Sequence, residues 1–534
     1  MKTKQPAVRS QAPAPSSRRI RAAAPICVPY TGRYANTHAA AVVRGAAAAV
    51  VLAICPVVQR PAVAAVPALA IAPAAAPADT TPAPPLTLAA ALRAALAQHP
   101  RLAAADAALD RAAAGLDEAS AARLPSLGMD GTFMRYAEPM VTAPLHGFNP
   151  TAPPSFDRTL LQGGIYMGYT IYDGGARGAR VARAKALTGA GEAGVQGTRQ
   201  ALIGEVVRAY LRVLTAGEVL EGNEKRVRAL EEEKRRAAQL LERGTAARVL
   251  VLRAEAALGA ARAEWHAARG ELDLAIGELA RLTGIEADRI KPAALVPFRL
   301  RDGEELPASA RNAATLASPV SPATTASPTS EPRPLDRATL LARALAANPE
   351  ITRLQRQVAA AEATRAEARS LWFPTIQAVG RYAEYASGLG REQGEWQGGI
   401  QFSFPLFTGG ARQAAGARAD AELRAARAQL ALARLEVAAA LDRAIAAVET
   451  ERARAEALRA ATEQAEEVVR IERLALDAGA GVQTDYLSAE AELLRVRAAW
   501  SAARAAEIAA RVELARITGE LSIEWLEQNL EPGS

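Results

Sequence analysis

The residues best equipped for chemistry in this chain are few and scattered. The four histidines, His38, His99, His146 and His266, share no ligand spacing, so they read as isolated side chains and not as a metal set. Both cysteines, Cys27 and Cys55, lie near the start; the remainder carries neither thiol nor disulfide chemistry. Asp173-Gly174-Gly175-Ala176-Arg177-Gly178 stands before a helical pattern and invites a phosphate-cradling reading. It lacks the GxGxxG and Walker spacings and recurs as Thr408-Gly409-Gly410-Ala411-Arg412, so it reads as a strand-to-helix corner. No Ser/His/Asp, Cys/His or paired-carboxylate arrangement stands out among the evenly spread Asp and Glu. The expectation is no catalysis, no metal and no cofactor.

Charge points the same way. The net charge is +7 over 534 residues, but residues 1–64 hold nine Lys/Arg and no acid, which leaves 55 basic against 57 acidic residues beyond them. The basic excess belongs to a leader, and a nucleic-acid partner is not expected. That leader reads as a secretory signal: an apolar run from Gly45 to Val58 follows Arg44, and Ala62-Val63-Ala64 offers an A-x-A cleavage site. The run is too short to span a membrane. Leu52-Ala53-Ile54-Cys55 is the alternative, a lipoprotein-like box in which Cys55 would be acylated, with Ile54 where a small residue is normal.

The elements that must position anything functional are two strand–Gly-Gly–long helix units. In Trp396–Gln413, the side chains of Trp396, Gly398, Ile400, Phe402, Phe404 and Leu406 alternate with Gln397, Gly399, Gln401, Ser403 and Pro405, and Gly409-Gly410 follows. Period two predicts a strand with one apolar and one polar face, about long enough to cross a bilayer when tilted. Ile165, Met167, Tyr169 and Ile171 do the same before Gly174-Gly175. Up to the strands the two copies lie 249 positions apart (Pro100/Pro349, Pro125/Pro374), and from the Gly-Gly corner onward 235 apart (Gly244/Gly479, Trp265/Trp500, Gly284/Gly519). The change places a 14-residue difference in the first hairpin loop.

The boundaries that follow are a leader at 1–64, a Pro/Ala-rich spacer at 65–85, a first repeat at 86–301, a Ser/Thr/Pro-rich linker at 302–334, a second repeat at 335–519 and a tail at 520–534. Each repeat holds short helices, a β-hairpin (126–172 and 375–407) and a long helical hairpin (176–284 and 411–518). Tyr486, Ala489, Leu493, Val496, Trp500 and Ala503 step by three and four as in a coiled coil. The seven glycines from Gly189 to Gly222 predict that bending concentrates in the first long helix near Gly189–Gly204, since its counterpart has only Gly416. The fold class is mainly α with a small β part. Four strands per chain cannot close a barrel, and an open sheet facing lipid leaves unpaired edges in hydrocarbon, so several chains would have to close one barrel together.

Pro405-Leu406-Phe407-Thr408-Gly409-Gly410, its partner Thr170-Ile171-Tyr172-Asp173-Gly174-Gly175, and the turn Gly479…Asp485-Tyr486-Leu487-Ser488-Ala489-Glu490 resemble the TolC-like outer-membrane efflux factors over roughly residues 86–520. The resemblance implies a homotrimer with a 12-stranded transmembrane β-barrel in outer-membrane lipid and a coiled-coil α-barrel in the periplasm. It also implies a periplasmic adaptor (membrane fusion) protein and an inner-membrane transporter as partners, in efflux or in type I secretion. The helix tips at Gly244, Gly479 and Gly481 would contact the adaptor. Asp485 falls on the family's first acidic aperture position and Ser488 on the second, with Leu250 and Arg253 in the first copy, so the acidic gate is half present. As a residue in the first turn of a helix, Asp485 equally reads as an acid favoured by the dipole. The rival reading is an exported periplasmic coiled-coil scaffold without a pore.

Overall fold

The computed structural model describes residues 85–146, 151, 154–245, 247–301, 336–387, 392–478 and 480–532. The leader, the cleavage site, Cys55, the linker and Gly479 fall outside the described residues, as does the spacer except Pro85. In chain order the elements are α1 (Leu88–Gln98), α2 (Pro100–Ala121), β1 (Ser126–Val141), β2 (Phe156–Tyr172), α3 (Ala176–Glu242), α4 (Arg248–Thr283) and β3 (Phe298–Leu300). After the linker come α5 (Arg337–Ala347), α6 (Pro349–Ser370), β4 (Thr375–Ser387), β5 (Glu392–Ser403), α7 (Ala411–Asp477), α8 (Gln483–Thr518), α9 (Ile523–Asn529) and β6 (Leu530–Pro532).

Element lengths match in pairs: α1 and α5 have 11 residues, α2 and α6 have 22, α3 and α7 have 67, and α4 and α8 have 36. Helix α2 begins at Pro100, because a proline at the first position forfeits only an N–H that has no helical partner there. His99 caps it through Nδ1, accepting from the Arg101 N–H, and Asn348 caps α6 by accepting from Glu350 and Ile351.

One antiparallel sheet runs β1-β2-β4-β5, and a second pairs β3 with β6. The two hairpins share one register: Leu127 faces Met167 and Met129 faces Ile165, while Ile376 faces Phe402 and Ala378 faces Ile400, the same pairs under the offsets 249 and 235. β5 ends at Ser403 and not at Leu406, since Pro405 has no N–H to give the ladder. Pro139 likewise sits in the register break of β1 between Arg135 and Met140.

The 67-residue helices extend roughly 100 Å from the sheet at 1.5 Å per residue. α3 is unbroken, and three of its glycines lie at close approaches: a Cβ on Gly189 would meet Arg356, on Gly191 Leu109, and on Gly217 Pro292 at 2.8 Å. The main core lies partway along the helices, where α1, α3, α4, α8 and α9 bury Leu92, Ile203, Val207, Tyr210, Leu279 and Trp525.

Candidate functional site

The sheet presents its apolar residues to the outside. Leu127 is 76 % exposed and Ile400 73 %, and Met129, Phe133, Ile165, Met167, Trp396 and Phe402 are exposed with them. Such an area of contiguous exposed apolar surface is stable only against lipid or another chain. The other face is polar. Arg381 on β4 reaches across β2 to Asp130 on β1, with Nη2–Oδ2 at 2.7 Å. Gly164 keeps that crossing narrow, because a Cβ there would come within 2.8 Å of the Tyr382 carbonyl.

The two strand-to-helix corners share their glycines and differ in their chemistry. All four glycines, Gly174, Gly175, Gly409 and Gly410, adopt positive φ, between 60° and 90°, where any side chain would be strained. At the first corner Asp173 accepts from the N–H groups of Gly175 and Arg177 and pairs with the Arg177 guanidinium at 3.0 Å. Burial alone would raise that carboxyl; the Arg177 N–H, guanidinium and charge, helped by Gly175, outweigh it and hold it below the usual carboxylate range. Thr408 stands in place of Asp173 at the second corner. There Arg412 is buried between the rings of Trp372 and Phe404, at 5.4 and 5.2 Å, with Nε and Nη2 lacking hydrogen-bond partners among the described residues. Leu406 and Phe407 are each 88 % exposed beside it.

At the far end each helical hairpin turns tightly. Gly244 closes the first with φ +73° and its N–H on Leu241. Gly481 belongs to the second, its N–H on the Ala475 carbonyl at 2.9 Å, and a Cβ there would meet the Leu476 nitrogen at 2.8 Å. Leu250 and Asp485 are the third residues of α4 and α8, and Arg253 and Ser488 the sixth, and all four are exposed. Asp485 accepts from the Thr484 hydroxyl at 3.4 Å. Ser488 borders a groove of about 200 Å³ with Arg226, Leu230, Ala257, Leu487 and Glu490, so it faces the first hairpin of its own chain. Leu487 packs there against Leu230, Leu258 and Ala261. Sequence reasoning missed Glu490 at this groove: burial raises its carboxyl against the pull of Arg473. In the sequence it stands only as the last residue of the turn motif, whereas its burial depends on helices far away in sequence.

A sheet with one apolar face of bilayer height, carried on a helical stem of such length, has the build of an outer-membrane channel protomer. The chain belongs to the outer membrane efflux protein family, whose model matches residues 91–285 and again 340–520. It is therefore an efflux channel protein of the outer membrane, with its helical part in the periplasm. Its fold is similar to the CmeC outer membrane channel of Campylobacter jejuni, at 17 % identity, covering 81 % of this chain and 85 % of that one with a TM-score of 0.65. It is similar also to the outer membrane protein VceC of Vibrio cholerae (20 % identity, 81 % and 96 % covered, TM-score 0.61). The MtrE outer membrane channel of Neisseria gonorrhoeae, in its open state, matches at 19 % identity, with 81 % and 88 % covered and a TM-score of 0.61. No curated protein matches the sequence. Among the described residues no helix is long and apolar enough to cross a membrane.

Proposed function

We propose that this protein is the passive exit duct of a tripartite efflux or type I secretion system, built as a homotrimer from two related halves per chain. Three copies give a 12-stranded barrel in the outer membrane and a helical tunnel below it. The tips at Gly244, Gly479 and Gly481 meet a periplasmic adaptor, which joins the duct to an inner-membrane transporter. Cargo passes by diffusion, and its choice lies with the transporter.

One observation carries the reading: the sheet has an exposed apolar face, and among the described residues the outer edges of β1 and β5 pair with no further strand. Unpaired backbone groups in hydrocarbon cost several kcal/mol each, so a lipid-facing sheet has to close on further copies. A periplasmic scaffold without a pore has no use for such a face. Within the duct, three Asp485 carboxylates around a narrow axis would favour cations over anions.

The test is the purified full chain in mild detergent and in planar bilayers. A trimeric mass, recovery in the outer-membrane fraction and a cation-preferring conductance are expected, and Asp485→Asn is expected to weaken the preference. A monomer, or recovery as a soluble periplasmic protein, overturns the duct. Unchanged selectivity in Asp485→Asn removes that residue from the aperture.

A further inference from the structure

The two strand-to-helix corners place an arginine alike, and only the first gives it an anion. Arg177 lies 5.9 Å over the Tyr169 ring, and Arg412, 235 positions on, lies 5.2 Å over Phe404, the counterpart of Tyr169. Arg177 donates from Nε to Asp173 Oδ2 at 3.0 Å and from Nη2 to the Ile171 carbonyl at 3.4 Å. In Arg412, which is only 7 % exposed, the same two nitrogens are buried and have no hydrogen-bond partner among the described residues. We propose that the second corner binds a phosphate group, which takes the place that the Asp173 carboxylate holds at the first. The site belongs to the single chain and does not depend on the duct proposed above.

Asp173 does two jobs at its corner. Besides pairing with the guanidinium, it accepts from the Gly175 N–H through Oδ1 at 3.1 Å and from the Arg177 N–H through Oδ2 at 2.9 Å. Thr408 brings no charge to that position, and among the described residues the matching N–H groups of Gly410 and Arg412 find no acceptor. The backbone frame is nonetheless the same. Gly409 and Gly410 have φ of 60° and 85° where Gly174 and Gly175 have 64° and 90°, and the Ala411 N–H meets the Thr408 carbonyl at 3.0 Å as the Ala176 N–H meets that of Asp173 at 3.2 Å. The rings of Trp372 and Phe404 flank the guanidinium and offer its N–H groups no oxygen. Buried charged donors left without an acceptor are costly, so this corner is built for an oxyanion from outside the chain. The two free oxygens of a phosphodiester match the two of a carboxylate: one suits the Arg412 edge and N–H, the other the Gly410 N–H. The start of α7, a 67-residue helix, favours negative charge there. A Cβ on Gly409 or Gly410 would meet nothing within 4 Å, which leaves room for a group larger than a carboxylate.

Position favours a lipid headgroup as the source. The corner lies between the end of β5 at Ser403 and the start of α7 at Ala411, where the sheet hands over to the helices and the hydrocarbon ends. Leu406 and Phe407, each 88 % exposed, and the half-exposed Trp372 and Phe373 offer apolar surface beside Arg412 for acyl chains. Free phosphate would use the same polar groups and leave that surface bare.

The test uses the full chain in dodecyl maltoside, incubated with dioleoyl phosphatidylethanolamine, which carries a phosphodiester and no net charge, or with dioleoylglycerol, which lacks the phosphate. Native mass spectrometry counts the lipid retained per chain. The parent and Thr408→Asn are expected to retain one phospholipid per chain that Thr408→Asp and Arg412→Gln hold at least about tenfold more weakly, since the first supplies its own carboxylate and the second removes the cation. Thr408→Asp rebuilds the first corner, so its melting midpoint should equal or exceed that of the parent. Equal retention by Thr408→Asp, Arg412→Gln and the parent overturns the site. Dioleoylglycerol retained as well as the phospholipid, with the same dependence on Thr408 and Arg412, overturns the phosphate as what is recognised. Inorganic phosphate separates the sources: a midpoint raised in the parent and not in Thr408→Asp upholds the site for the free ion, whereas no effect beside retained phospholipid upholds it for the headgroup. Neither phospholipid retention nor a response to phosphate in the parent overturns the proposal.

Discussion

Glu490 takes its interest from its surroundings. It sits where α8 leans on the first helical hairpin, and burial there raises its carboxyl although the charge of Arg473 opposes the rise. A carboxyl raised in the folded protein holds its proton more readily there than in the unfolded chain. Ionised Glu490 therefore costs stability, a cost present in full above the folded-state value and lost as pH falls through the unfolded one. Glu490→Gln is expected to raise the thermal midpoint of the detergent-solubilised protein at neutral pH, by less than about 1 kcal/mol because the site is half open to water, and to give no gain near pH 4. Its counterpart Glu255 pairs with Lys234 at 3.0 Å, so Glu255→Gln should bring no rise. Equal midpoints for Glu490→Gln and the parent at pH 7 would show that the groove is wet enough to keep the carboxyl ordinary. The turn motif made Asp485 and Ser488 legible as a tip, since chain spacing alone sets them one helical turn apart. The groove beside Ser488 was not legible, because it is formed by Arg226 and Leu230, which lie some 260 residues earlier.

At the scale of elements, the strands were the most legible part of the chain. Alternation in Trp396–Ser403 needs no partner to be read, and the ladder places Trp396, Ile400 and Phe402 on one exposed face. The strand end was less legible: alternation continues to Leu406 in the sequence, while the ladder stops before Pro405 for want of an N–H. Three glycines of α3, Gly189, Gly191 and Gly217, lie at close approaches to Arg356, Leu109 and Pro292, contacts that sequence spacing does not reveal. Neighbouring positions on β5 make a paired prediction. Ile400→Lys puts a cation into hydrocarbon at a cost of roughly 2–4 kcal/mol near mid-bilayer, so the amount of protein assembled in the outer membrane should fall severalfold. Gln401→Lys, on the opposite face, should assemble as the parent does and shift the ion preference toward anions in planar bilayers. Equal assembly of both variants would mean that the apolar face does not meet lipid.

For the whole molecule, what ties the two halves and both ends of the described chain together lies in the core partway along the helices, and little of it could be read in advance. β3 and β6 are three residues each and pair across more than 200 residues, Phe298 with Pro532 and Leu300 with Leu530; neither shows a period long enough to announce a strand. Tyr210 of α3 is the centre of this region. It is fully buried, and its hydroxyl lies 2.8 Å from the carbonyls of both Leu86 and Val296, holding the segment before α1 and the one leading into β3. Burial pushes that hydroxyl far above the usual phenol range, so it remains a donor at every physiological pH. Tyr210→Phe keeps the ring, which packs 5.6 Å from that of Phe298, and leaves the Val296 carbonyl without this donor. The expected cost is about 1–3 kcal/mol, seen as a lower melting midpoint by circular dichroism in detergent. Single-channel conductance should stay at the parent value, since the residue lies in the core and away from both the barrel strands and the tips. A variant that melts with the parent would show that water replaces the hydroxyl there. Changed conductance together with a lowered midpoint would mean instead that this core sets the geometry of the tunnel as well as its stability.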